Sequence, residues 1–274
     1  MSRATSDSPG PSNPPESSED VLSDALFTLY DYQPITHASA GQSYTYNYPS
    51  QTSPLSITLT TPDTDAANWE LHASSIWMSA VYLADHIDEI SLPPDATVLE
   101  LGAGAGLPSI VLAALHPQAS ITISDYPDQQ VLAAIHENIE RNKVVSHCRA
   151  AGFAWGTNPE PLLRHAPAGY DVVLAADTLW NPTLRESFID SIEGTLRKSE
   201  HARAYIVAGL HTGRYTLQAF LDAVQKSSKL AVVSLVECEA RGTERRTWDV
   251  TRADNDDDKE RRRWVLWIVL KWKP

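Results

Sequence analysis

The sequence predicts an α/β fold built on a mostly parallel sheet, and three observations carry that expectation. Short apolar runs alternate with helical patterns from Val98 to Val224, as strands joined by crossover helices do. The first run, Val98, Leu99 and Leu101, leads into Gly102, Gly104 and Gly106 and then into an apolar helical stretch from Ile110 to Leu115. That is a strand, a glycine-rich turn and a helix. The last two runs, Ala231 to Val236 and Trp264 to Leu270, have no helical pattern between them, so the sheet should end in an antiparallel strand pair. With 274 residues, 42% of them hydrophobic and 21% charged, the chain suffices for one large domain and a tail.

The elements follow in order. Residues 1–20 hold Pro9, Gly10, Pro11, Pro14 and Pro15 among serines and acids, and a disordered tail is expected there. Ala25, Leu26, Phe27, Leu29 and Tyr30 then form an apolar cluster. Tyr44, Tyr46 and Tyr48 alternate with polar residues, as do Leu55, Ile57 and Leu59, with Pro49 and Pro54 between the two runs. This is the pattern of a β-hairpin. Residues 21–68 are therefore read as a hairpin extension that covers one side of a main domain at 69–274. His72 to Ile90 is expected to be a largely buried helix, because Trp77, Ala80, Val81 and Ala84 follow helical spacing and Ile76, Leu83 and Ile87 make a second apolar row.

Beyond the glycine turn, Ser120 to Ser124 is expected to be a strand ending at Asp125, and Asp128 to Asn142 a helix with Val131, Ile135 and Ile139 on one face. Strands at His147 to Ala151, Tyr170 to Ala175 and Ala204 to Leu210, and helices at Leu184 to Leu196 and Thr216 to Val224, complete the alternation. The link between the final strands carries Arg241, Arg245 and Arg246, the acidic run Asp254 to Asp258, and Arg261 to Arg263. It lacks the central Gly and terminal Glu of a calcium loop, so a solvated, mobile hairpin tip is expected. Its arginines could pair with the acids or dock an acidic partner.

Charge and cysteine usage exclude some classes. Lys and Arg number 22 against 35 Asp and Glu, for a net charge of −13. No direct nucleic-acid binding is expected, since a broad nucleic-acid footprint needs a basic face. Cys148 and Cys238 match no metal-ligand spacing and are read as reduced, buried thiols. No apolar run approaches the roughly 20 residues of a membrane helix, and the N-terminus lacks a signal-peptide core. A monomeric cytosolic or nuclear protein is expected, without a bound metal.

The glycine turn points to a nucleotide-like cofactor, because residues without Cβ let the backbone approach a ligand closely. A dinucleotide fingerprint would need a third glycine where Leu107 stands. The spacing is instead Glu100-x-Gly102-x-Gly104-x-Gly106, which resembles the first motif of Rossmann-like, class I methyltransferases, users of S-adenosylmethionine. Asp125 ends the next strand, about 20 residues on, where an acid accepts hydrogen bonds from ribose hydroxyls. Each feature has a structural alternative, a tight strand–helix connection for the turn and a helix cap for the aspartate.

On these residues the chain resembles the family 16 methyltransferases, a group of seven-β-strand protein-lysine methyltransferases that includes fungal nicotinamide N-methyltransferase-like members. Leu99 to Ser109 resembles the group's first motif, Ser124-Asp125-Tyr126-Pro127 its second, Gly152-Phe153-Ala154-Trp155-Gly156 its aromatic-glycine motif and Ala176-Asp177-Thr178-Leu179-Trp180 its motif after the fourth strand. The likeness runs from about Trp69 to Leu210, and the terminal strand pair fits it. It implies a Rossmann-like class I methyltransferase fold with a mostly parallel seven-stranded sheet. It also implies S-adenosylmethionine as cofactor. Gly102, Ala103 and Gly104 would lie against its methionine and ribose parts, Asp125 on the ribose, Trp155 by the adenine, Ala176 beside it through backbone, and Trp77 closing the pocket. For both tryptophans the alternative is plain core packing.

Asp177 and Trp180 are the candidate catalytic residues. The carboxylate would orient an acceptor amine or help remove its proton. Group members often carry Tyr or Phe where this chain has Trp180, so its acceptor channel should differ in width. The implied activity is N-methylation of a protein lysine or N-terminal amine. A small-molecule N-methyltransferase, or a non-catalytic interaction protein on the same fold, are the alternatives. His211-Thr212-Gly213-Arg214, at the carboxyl end of the fifth strand, reads either as a substrate contact or as a polar loop.

Overall fold

The computed structural model describes residues 33–49, 54–63, 71–226 and 229–274. The expected disordered tail, the Ala25 to Tyr30 cluster and the boundary near Trp69 lie outside the described residues. The hairpin is formed by β2 (Ser43–Asn47) and β3 (Ser56–Thr60), after a two-residue strand β1 (Thr36–His37). Its inward side chains, Tyr46, Ile57 and Leu59, are buried.

The expected helix at His72 to Ile90 is shorter and starts later. Ile76–Trp77 is a strand, β4, that pairs with β1, and α1 (Met78–Asp85) follows before a 3-10 turn at Ile87–Glu89. The Met78 amide donates to the Ile35 carbonyl at 2.8 Å. Pairing with a segment some forty residues upstream thus overrides helical spacing, and Trp77 stands before the helix.

The main sheet comprises β5 (Thr97–Leu101), β6 (Ser120–Asp125), β7 (Cys148–Gly152), β8 (Val172–Ala176), β9 (Arg203–Gly209), β10 (Leu230–Glu239), β11 (Arg245–Thr247) and β12 (Trp264–Trp272). The spatial order is β11-β10-β12-β9-β8-β5-β6-β7. β7, β6, β5, β8 and β9 are mutually parallel, and β12 runs antiparallel between β9 and β10. The seven expected strands are present with their antiparallel end, and the three-residue β11 adds an eighth at the edge. Helices α2 (Leu107–Leu115), α3 (Gln129–Arg141), α4 (Glu160–Leu163), α5 (Arg185–Thr195), α6 (Arg214–Lys226) and α7 (Asp258–Arg262) complete the fold. Two cores, one on each face of the sheet, contain Leu112, Ile121 and Val207 and, opposite, Leu99, Phe188 and Leu266. Cys148 and Cys238 are free and buried.

The sequence order reverses between β5 and β8, so their carboxyl ends flank the point where open α/β sheets bind ligands. The hairpin docks beside it through α3. Asn138 accepts from the Thr60 amide at 2.7 Å and donates to the Thr60 carbonyl at 2.9 Å, and Asn142 treats Thr58 the same way at 3.1 and 2.9 Å. Two amides one turn apart on a helix thus act as a surrogate strand for β3. Asn138 also donates to the Ala105 carbonyl at 3.1 Å, tying the hairpin to the glycine turn.

The segment from Asp254 to Asp258 is exposed, as expected, at every residue but Asp256, and Asp256 anchors it. The Asp256 side chain is 6% exposed and pairs with buried Arg214, which grips Glu237 in bidentate fashion at 2.6 and 3.0 Å. Arg246 and Arg252 bind the same Glu237 at 2.7 and 2.8 Å. These arginines hold Glu237 below its usual carboxylate range, against the opposing effect of burial. The excursion between β10 and β12 is thereby fastened to the end of β9.

Candidate active site

The glycine turn follows β5 at the switch point of the sheet. Gly102 and Gly104 have φ of +68° and +55°, a region that side chains with a Cβ disfavour. A Cβ on Gly102 would fall 2.8 Å from the Trp155 indole and 2.9 Å from Thr178 Cγ2. The turn, the loop after β7 and the loop after β8 therefore close directly on one another. At Gly104 the nearest atom to such a Cβ is the Ala73 carbonyl oxygen at 3.6 Å, which leaves room over the turn.

That room is a cavity of about 350 Å³, within the size range of small-molecule sites. All nine candidate residues line it: Trp77, Gly102, Ala103, Gly104, Asp125, Trp155, Ala176, Asp177 and Trp180. Glu100, His72, Tyr126 and Thr178 line it as well. Chain segments separated by a hundred residues thus converge on one mostly apolar pocket.

Asp125 is buried at the end of β6. Its carboxylate accepts from the Gly104 amide at 2.7 Å and the Tyr126 amide at 2.6 Å, while its carbonyl accepts from Phe153 at 2.7 Å. Burial pushes this carboxyl up to about 6, against the pull of the two amides. Each amide uses one lone pair of an oxygen that has two, so acceptor capacity remains for a hydroxyl in the cavity. Helix capping belongs to the neighbour, since Asp128 accepts from Gln130 and Val131 at the start of α3. Glu100 lies deeper and accepts from the Ser109 amide at 3.2 Å. Its burial raises the carboxyl to about 8.

The opposite wall is aromatic. Trp155 packs on Phe188 with centroids 4.8 Å apart. The Trp77 indole donates to the His72 carbonyl at 2.8 Å, and the His72 ring meets Trp180 edge-on at 4.6 Å. Asp177 adopts φ +55°, a conformation that costs a non-glycine residue about 1–3 kcal/mol and recurs at functional sites. Its side chain is 4% exposed, and Oδ1 accepts from the Gly209 amide at 3.0 Å. Oδ2 is buried with no hydrogen-bond partner among the described residues. Asp177 lines the cavity, while its Oδ2 is shielded and without a hydrogen-bond partner, a costly state for a carboxylate oxygen.

His72 was not singled out from sequence. It has φ +52° and stands five residues before Trp77, at a spacing that carries no signal. The geometry suits S-adenosylmethionine: a glycine floor under open space, an acid at the adjoining strand end, and indole edges on the walls.

The family model for lysine methyltransferases matches residues 64–227. A protein N-terminal and lysine N-methyltransferase of Neurospora crassa is 33% identical over 154 residues, covering 50% of this chain and 53% of that protein. Proteins with the same description from Gibberella zeae and Schizosaccharomyces pombe are 33% identical over 150 residues and 32% over 145. These two matches cover 49% and 50% of this chain, and 56% and 55% of those proteins. The chain spans about half the length of the curated relatives it matches.

Proposed function

This chain belongs to the lysine methyltransferase family, and on that premise we propose that it methylates a protein amine, a lysine side chain or an N-terminal amine, with S-adenosylmethionine as donor. The names of the relatives, protein N-terminal and lysine N-methyltransferases, support that substrate class. One observation of the site carries the reading: the glycine turn, buried Asp125 and buried Asp177 converge on a single cavity.

The backbone of Gly102, Ala103 and Gly104 holds the methionine and ribose parts of the donor, Asp125 accepts from its ribose hydroxyls, and Trp155 lies by its adenine. Ala176 contributes backbone, and Trp77 closes the pocket. When bound, the donor supplies a methyl group on an already activated sulfonium. The protein's task is then alignment, which converts a bimolecular encounter into an oriented one. Asp177 receives a hydrogen bond from the acceptor nitrogen through Oδ2 and turns its lone pair inward. Trp180 and His72, packed edge to face, narrow the acceptor side, and the apolar walls exclude water that would compete as acceptor.

The test is transfer of labelled methyl from S-adenosylmethionine to lysate proteins separated by mass, with the modified residue mapped. Label on a lysine or N-terminal amine of a protein, abolished in Asp125→Ala, is expected. Label confined to a low-mass fraction contradicts a protein acceptor. Unchanged labelling by Asp125→Ala contradicts the site.

A further inference from the structure

The turn after β9 holds a group that the account above does not use. His211 lies in the 3-10 turn Leu210–Thr212, at the carboxyl end of a central strand. Its ring stacks on Trp77, with centroids 5.4 Å apart and planes 15° from parallel. Its Nε2 stands 3.8 Å from Oδ2 of Asp177, the oxygen that has no hydrogen-bond partner. Gly209 makes this arrangement possible in two ways. Its amide holds Oδ1 at 3.0 Å, and a Cβ at that position would lie 2.3 Å from two atoms of the imidazole. The His211 side chain is 17% exposed, against 4% for Asp177.

We propose that His211 is a positioning residue for methyl transfer, standing in electrostatic contact with Oδ2 of Asp177 while the Gly209 amide holds Oδ1, and relaying the acceptor's proton from that carboxylate to solvent. The inference rests on the methyl-transfer reading. An acceptor present as an ammonium must give up one proton before its lone pair is available. That proton passes from nitrogen to Oδ2 of Asp177, then to neutral His211 at Nε2, and leaves from the exposed edge of the ring. The carboxylate is restored, and no further reactant is consumed. The stack on Trp77 places the same ring beside the cavity wall, while the indole itself is held by the His72 carbonyl.

Charged and titratable groups face this turn from several elements. Asp177 comes from the end of β8, and His72 lies beyond Trp77. Arg214, which opens α6, is committed to Glu237 and Asp256. Helix α7 packs on the turn and carries Asp258, Lys259, Glu260, Arg261 and Arg262. Asp258 pairs with Arg261 and Arg262, and Glu260 pairs with Arg246 and Arg263.

The test compares wild type, His211→Gln and Gly209→Ala, whose added methyl evicts the imidazole while leaving it in the chain. Calorimetry with S-adenosylmethionine is run beside labelled-methyl transfer to lysate protein between pH 5.5 and 8.5. Taking the ratio of wild-type to variant kcat removes the acceptor's own titration. Expected are donor affinities within about twofold of wild type and a kcat loss of about 10²-fold, the scale of proton-transfer assistance. That ratio should climb as pH rises across the range assayed. A ratio that is flat with pH, or a donor affinity that falls in step with kcat, overturns the proposal. A wild-type chain that binds donor and labels nothing refutes the transfer reading itself, and this assignment with it.

Discussion

Replacing Gly102 and Gly104 separately by alanine distinguishes a glycine needed for packing from one that makes room for the donor. At Gly102 the new methyl meets Trp155 at 2.8 Å and Thr178 at 2.9 Å, on a backbone with φ +68°. The left-handed conformation costs an L-residue about 1–2 kcal/mol. Pushing an indole that packs on Phe188 at 4.8 Å adds the roughly 1–3 kcal/mol of an overpacked site. The sum, about 2–5 kcal/mol, lowers Tm by about 5–15 °C in a domain of this size. At Gly104 the backbone cost is similar, with φ +55°, but the nearest atom is 3.6 Å away, so only about 1–2 kcal/mol is lost. Its methyl occupies open space at the cavity proposed to hold the donor. Thermal melts and calorimetry with S-adenosylmethionine should therefore separate the variants. Gly102→Ala loses both stability and binding. Gly104→Ala falls in Tm by only about 2–8 °C and loses at least about tenfold in affinity, or about 1.4 kcal/mol. Wild-type affinity in Gly104→Ala would refute the placement of the donor over the turn.

Two further outcomes follow from buried polar groups. Glu100 titrates near 8 in the folded chain against an ordinary 4.5, so between those values the folded chain keeps a proton that the unfolded chain has released. Its contribution to stability is therefore lost as pH rises through that window, by up to about 1.4 kcal/mol per pH unit. Urea unfolding of Glu100→Gln should show an advantage over wild type that grows from pH 5.5 to 7.5. A pH-independent difference would contradict the burial of a titrating Glu100. Asn138→Ala strands the Thr60 backbone and the Ala105 carbonyl, at about 1–3 kcal/mol for each group left buried and unpaired. A loss of about 3 kcal/mol in urea unfolding is expected, and a loss below about 0.5 kcal/mol would mean that the hairpin docks by other means.

Where the chemistry is local, the sequence was readable. The strand–turn–helix at Thr97 to Ser109 follows from glycines that only a tight turn needs, and Asp125 falls at the end of the adjoining strand because β5 and β6 pair in register from Thr97 to Leu101. The alternating tyrosines gave the hairpin for the same reason. What misled was non-local. The Ile76–Trp77 pair satisfies helical spacing, yet it is drawn into a strand by residues 36–37. Asp256 reads as one more member of a solvated run, because nothing in the spacing reveals that Arg214, 42 residues away, is buried and needs it. Trp77 and Trp155 could have been core residues, and their position on the cavity wall depends on the closing of three loops. His72 and Oδ2 of Asp177 are visible only in three dimensions.

The proposed function requires that the cavity over Gly104, beside Asp125 and Asp177, take S-adenosylmethionine. Titration calorimetry of the full chain with that compound tests it most directly, with Asp125→Ala measured alongside. Saturable one-to-one binding by wild type is expected, with at least a tenfold weaker affinity, or about 1.4 kcal/mol, in a variant that remains folded. A folded wild-type chain that gives no binding heat at any temperature tried, or equal affinities for the two chains, would contradict it.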